Sequence, residues 1–155
     1  MDTQLDLIEK MLNAALEMQK AVYRYLNVPR LYGEDVVLYM REAHLLSVLG
    51  DADRMMSAEE LAESLEITHG AVTQLTDRLE KKGYVYRDKS PEDKRLILRG
   101  LTEQGKKAYN IHRTYDAEKF SFIRSRCSDF SAEELQTFIS VAERLSSCFT
   151  QSAAE

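Results

Sequence analysis

Leu5, Ile8, Leu12, Ala15, Gln19 and Val22 recur at helical spacing behind Thr3, an N-cap with Asp6 three residues on. They predict an opening helix that stops at Asn27-Val28-Pro29. Glu42 to Leu49 predicts a second helix closed by Gly50, since glycine is the usual residue past a helix end. Ser57-Ala58-Glu59-Glu60 is a capping box, in which the serine hydroxyl takes the N3 amide and Glu60 reaches back to the serine amide. A short helix follows through Leu61, Ala62 and Leu65. Thr68 caps the next one, with Val72, Leu75 and Leu79 inward and Gly83 as its stop. Two short helices joined by a few residues outline a helix-turn-helix.

After Gly83 the period shortens. Tyr84 to Asp88 and Arg95 to Arg99 lean toward strand, separated by a charged, Pro91-bearing tip. Thr102 caps a long helix to about Cys127, with Ala108, Ile111, Tyr115, Phe122 and Ile123 near one face. Ser131-Ala132-Glu133-Glu134 repeats the capping box and opens a last helix with Leu135, Phe138, Ile139, Ala142, Leu145 and Phe149 inward. A helix of about 25 residues reaches roughly 37 Å, farther than a small lobe can cover, so the long terminal helices call for a second chain. The expected fold class is mainly α with a small β-hairpin wing, dimerised through its N- and C-terminal helices. Residues 1–34 form the first dimerisation helix, 35–100 the reading head and 101–155 the closing dimerisation helices, in one intertwined domain.

Composition changes this picture little, but charge changes it more. The 155 residues are 44% hydrophobic and 30% charged, with net charge −5. That balance argues against a polyanionic partner until its distribution is read. Residues 68–100 hold eight basic and five acidic side chains, whereas 41–67 sum to −5. A basic stripe on an acidic body binds DNA selectively, because the rest of the surface repels it. Cys127 and Cys148 are too few and too far apart for a disulfide framework, so a cytoplasmic location is expected. No basic leader and no long apolar run suggests export or a membrane partner.

Three motifs stand in register across residues 57–105. They are A-V-T-x-x-x-x-x-L-E-x-x-G-Y-V in the second short helix, S-x-x-D-x-R at Ser90, Asp93 and Arg95, and L-T-x-x-G at Leu101, Thr102 and Gly105. In this the chain resembles the MarR family of winged helix-turn-helix regulators. The resemblance implies a homodimer that binds a palindromic double-stranded DNA operator, as a repressor in the first instance, and answers to a ligand or metal. A winged-helix module that contacts protein instead of DNA is the alternative. No phosphate loop, nucleophile elbow or HExxH motif points to an enzyme.

A recognition helix enters the major groove by its N-terminal residues. With Val72, Leu75 and Leu79 inward, the outward face presents Gly70, Thr73, Gln74, Asp77 and Lys81. Gln74 can pair bidentately with adenine, and Thr73 can offer a hydroxyl or a methyl to a base. Gly70 lets the backbone approach, Thr68 and His69 stand at the helix entry near a phosphate, and Arg78 flanks as a phosphate or base contact. By resemblance, Arg95 is the wing's minor-groove arginine and Asp93 orients the wing through ion pairs. Lys89 and Lys94 are phosphate candidates. A merely solvated charged face is the plain alternative, and for His69 an ordinary exposed helix start.

No cofactor is required, but three effector inputs are open. His112 and Asp116 stand at i, i+4, a spacing that suits zinc or another divalent metal. The resemblance places them, with His44, at ligand positions of zinc-sensing members, with Asp for a second His and Glu34 as the fourth donor to hand. Local hydrogen bonding at an interface is the plain reading of both histidines. An apolar small molecule or acyl chain is the second input, lined by Tyr23, Tyr25, Tyr32, Tyr39, Tyr109 and Tyr115, which equally suit plain packing. Thiol oxidation is the third and least supported, since neither cysteine sits at a basic helix start.

Overall fold

The computed structural model describes residues 3–32 and 36–151. Six helices and five short strands run in the order α1 (Thr3–Asn27), β1 (Arg30–Tyr32), β2 (Val36–Leu38), α2 (Met40–Ala52), β3 (Met56–Ser57), α3 (Ala58–Leu65), α4 (His69–Lys81), β4 (Val85–Lys89), β5 (Ile97–Leu101), α5 (Glu103–Arg126) and α6 (Ala132–Gln151). The chain divides into two compact units, one ending at Tyr115 and one beginning at Asp116.

The core of the first unit forms where α2, α3 and α4 turn their apolar stripes on one another. Leu45, Leu46, Leu49, Leu61, Val72 and Leu79 are all shielded from water. Capping sets the helix starts as the sequence requires. The Glu60 amide donates to Ser57 Oγ at 3.1 Å while the Ser57 amide donates to the Glu60 carboxylate at 2.7 Å; the Arg54 guanidinium first, and then this capping bond, hold the Glu60 pKa low. The Ala71 amide donates to Thr68 Oγ1 at 3.2 Å, and α4 ends before Gly83 at φ +78°.

The second helix differs from expectation at both ends. It starts at Met40, runs through Gly50 and stops at Asp53, whose φ is 49°. Gly50 is there for space: a Cβ on it would lie 2.6 Å from the ring of Tyr109. Strand β5 pairs between β3 and β4, with Arg87 opposite Arg99 and Val85 opposite Leu101. Both wing strands therefore lie toward the C-terminal side of the expected runs. The β1–β2 hairpin, with Tyr32 and Leu38 buried and Leu31 and Val37 exposed, is not predicted from the pattern.

Thr102 joins the wing to α5. Its hydroxyl donates to Gly83 O at 2.6 Å and accepts from the Gly105 amide at 3.0 Å. Gly105 lies so close to the strand that a Cβ would stand 1.9 Å from the Tyr84 carbonyl oxygen. That contact is the physical content of the L-T-x-x-G motif.

Helix α1 has its apolar stripe but buries no residue, with Leu5, Ile8, Leu16 and Val22 exposed. In the second unit the Ser131 capping box forms as expected, at 2.8 and 3.2 Å. Phe122, Phe130, Phe138 and Phe149 nonetheless remain more than half exposed. A cavity of about 690 Å3 opens there beside Cys127, Phe130, Leu135 and Phe138. Among the described residues no helix is long and apolar enough to cross a membrane.

Candidate nucleic-acid interface

Helix α4 presents one face to solvent through most of its length. Thr68, His69, Gly70, Thr73, Gln74 and Arg78 are all exposed, while Val72, Leu75, Thr76 and Leu79 anchor the opposite side. It has no acidic residue in its first turn, whereas every other helix with a described first turn does. No acid within the helix offsets the positive end of its dipole, although Glu63 and Glu66 of the preceding segment line a groove with Thr68 and His69. Thr73 donates its hydroxyl to His69 O at 3.0 Å, so it meets a base as an acceptor or through its methyl group.

Asp77 departs from the outward role expected for it. It is half-buried and takes a hydrogen bond from the Arg87 guanidinium, whose same nitrogen reaches Thr76 Oγ1 at 3.0 Å. Arg87 Nε also lies 3.5 Å from Glu80. Strand β4 is thereby clamped to α4, which sets the wing's position against the reading helix. Across the ladder, Arg99 donates to Ile97 O at 2.7 Å, and burial, with Arg87 beside it, lowers its pKa. Nothing in the residue pattern singles out Arg87; only a fold that brings β4 beside α4 does.

The wing tip is built by backbone hydrogen bonds. The Ser90 amide donates to Leu96 O at 2.8 Å, and Ser90 Oγ accepts from the Glu92 and Asp93 amides at 3.3 and 3.4 Å. Asp93 accepts the Arg95 amide at 2.9 Å. It shapes the tip through this turn, where an ion pair had been expected. Lys89, Asp93, Lys94 and Arg95 are exposed on it.

Of the eight basic residues in the stripe, Lys82 and Arg87 are bound to carboxylates and Arg99 is half-buried. Arg78, Lys81, Lys89, Lys94 and Arg95 are exposed and meet no carboxylate among the described residues. The structure thus separates cations that hold the fold from cations that face water.

The candidate metal residues assemble only in part. His112 is buried, edge-on to Tyr32 at 5.2 Å, and its ring centre lies 6.1 Å from that of the exposed His44. Asp116 is half-buried one turn further along α5. Among the described residues no group of three or more His, Cys, Asp or Glu could hold a metal ion; Glu34 lies outside the described residues. The tyrosines do not form one lining either: Tyr32 and Tyr109 are core residues, while Tyr23 and Tyr39 face solvent. Cys127 is half-buried and Cys148 exposed, and among the described residues neither is in a disulfide.

Fold and exposed face together define a winged helix-turn-helix protein. Residues 38–97 match the model of the MarR family. It is 36% identical to the uncharacterized HTH-type transcriptional regulator YdgJ of Bacillus subtilis over 101 residues, 65% of this chain and 59% of that one. It spans about three-fifths of the length of this and another curated relative, YcgE, at 59% and 61%. Among solved structures, the zinc-responsive MarR family member ZitR of Lactococcus lactis is similar at TM-score 0.70 and 21% identity, covering 95% of this chain and 99% of that one. The heme sensor PefR of Streptococcus agalactiae, in complex with heme, is similar at TM-score 0.59 and 25% identity, over 94% and 92%.

Proposed function

We propose that this chain is a sequence-specific double-stranded DNA-binding transcription regulator that grips a palindromic operator as a homodimer. The observation that carries the reading is the exposed N-terminal face of α4, with no acid in its own first turn, beside a wing tip whose cations Lys89, Lys94 and Arg95 meet no carboxylate among the described residues. Gln74 and Thr73 read base edges in the major groove, and Arg95 reads the minor groove. Thr68, His69, Gly70, Arg78, Lys89 and Lys94 bring the backbone close or meet phosphate, and Asp93 holds the tip in shape. The dimer is supported by apolar helix faces that one chain leaves bare, on α1 and again on α6. Half-sites about 10 bp apart follow from two-fold symmetry.

Selection of bound duplexes from a random pool, followed by titration across salt concentrations, tests this. Three exposed phosphate-facing cations per protomer, Arg78, Lys89 and Lys94, with Arg95 kept for the minor groove, give a log–log salt slope of roughly −5 for a dimer. Arg95→Ala is expected to weaken binding and relax preference for A·T flanks. No enrichment and no affinity at low salt overturns the reading and favours the protein-interaction module.

Similarity to one zinc-responsive and one heme-binding protein supports a regulator that answers to a metal or ligand. Two imidazoles with no third donor among the described residues do not make a zinc site, so no step here runs through a metal. Repeating the selection with zinc, chelator and long-chain acyl compounds assigns the effector class.

A further inference from the structure

A groove of about 320 Å3 runs beside the reading face of α4, between it and the start of α2. Gln74, Leu75 and Arg78 line one wall, and Tyr39 and Arg41 the other. Among the described residues that line it, the charged ones are the two arginines. Both are exposed, and neither meets a carboxylate among the described residues. The nearest acid in sequence, Glu42, is turned into the core and bound to Lys82 at 2.7 Å, while Asp77 and Glu80 on α4 are taken up by Arg87. The groove is therefore cationic although residues 41–67 sum to −5.

Building on the DNA-binding reading, we propose that Arg41 and Arg78 seat one backbone phosphate of the operator, extending the interface from the helix-turn-helix onto α2. The argument is positional. Gln74 and Arg78 stand one turn apart on α4, so a helix lying in the major groove carries this side toward the strand at the groove's edge. Two guanidiniums facing one space suit a phosphate, which takes several N–H donors at once. The contact positions the helix and reads no base.

The test uses the full-length chain and a duplex recovered by selection. Arg41→Ala is expected to weaken specific and non-specific duplexes alike, make the dimer's salt slope shallower by about 2, and leave base preference and the unfolding midpoint unchanged. Replacing phosphates one at a time with neutral methylphosphonate should reveal one position per half-site that costs the wild type more affinity than it costs Arg41→Ala, which keeps only the Arg78 contact there. If the wild type binds but Arg41→Ala keeps its slope, or changes preference at a single base, the phosphate seat is wrong while the regulator reading stands. If the wild type binds no duplex at low salt, both fall.

Discussion

Glu42 offers the sharpest test of the packing between α2 and the reading helix. Its carboxylate has no exposure, accepting Lys82 Nζ at 2.7 Å and the Tyr39 amide at 2.9 Å through Oε2, while Oε1 has no hydrogen bond in the structure. Lys82 also donates to Val37 O at 3.2 Å, which ties the end of α4 to β2. Removing one member of a buried pair costs about 3–5 kcal/mol, because the other charge is left without compensation. The Lys82 side chain is 35% exposed, and water entering along its path brings Lys82→Met down to ~2–3 kcal/mol. Glu42→Gln behaves differently: its amide oxygen still takes the Tyr39 N–H and Lys82 can swing into water, so the cost is ~1 kcal/mol. At this chain length the lysine variant should melt roughly 4–12 °C lower. Urea unfolding at matched protomer concentration measures both, and the double variant should cost less than the two singles added. Equal costs for the two singles, or both under about 0.5 kcal/mol, would refute a desolvated pair.

Two glycines should respond in opposite ways to rescue. Gly50→Ala would ordinarily gain about 1 kcal/mol of helix propensity. Here it should destabilise, because the Tyr109 ring is held in place by its hydrogen bond to Asp51 at 2.6 Å; in a Tyr109→Ala background the sign should reverse. Gly105→Ala meets a backbone carbonyl, so no side-chain truncation should restore it, and thermal melts of the wild type, these variants and Gly105→Ala combined with Leu101→Ala decide both claims. Burial pushes the Tyr32 phenol up to about 12, against the opposing pull of the Arg30 cation. Its contribution to stability is whole below the unfolded value near 10 and is lost as pH rises toward 12, at up to ~1.4 kcal/mol per pH unit. Tyr32→Phe should flatten that alkaline decline, and an unchanged pH profile of urea midpoints would contradict the assignment.

The helix-turn-helix was legible because its signals are local. A serine or threonine cap lies within a turn of its partner, and Ser57, Glu60 and Thr68 do what their spacing requires. What escaped depends on neighbours distant in sequence. A helical wheel sends Asp77 to solvent because it knows nothing of β4, where Arg87 waits ten residues away. Gly50 carries the usual mark of a helix end, and only the Tyr109 ring 59 positions on shows that it clears space instead. Strands β1 and β2 are three residues each, too short for an alternating pattern to stand out. The apolar stripe of α1 was legible, yet a stripe does not say which chain covers it.

Charge shows most clearly why the sequence alone leaves the interface half drawn. A chain of net charge −5 can still face DNA if its cations and anions are sorted by the fold, and formal sums cannot reveal that sorting. Here the acids on the flank of the reading helix and at the start of α2 are consumed internally: Glu42 by Lys82, and Asp77 and Glu80 by Arg87. Each such pairing removes an acid that would have repelled phosphate, and together they remove two cations, Lys82 and Arg87, from the stripe. The exposed remainder of residues 68–100 is smaller in number than the sequence suggests, and its unpaired acids, Asp88, Glu92 and Asp93, lie on the wing and not on α4. Arg41 gains its role the same way, lying in an acidic stretch whose adjacent carboxylate has been withdrawn into the core.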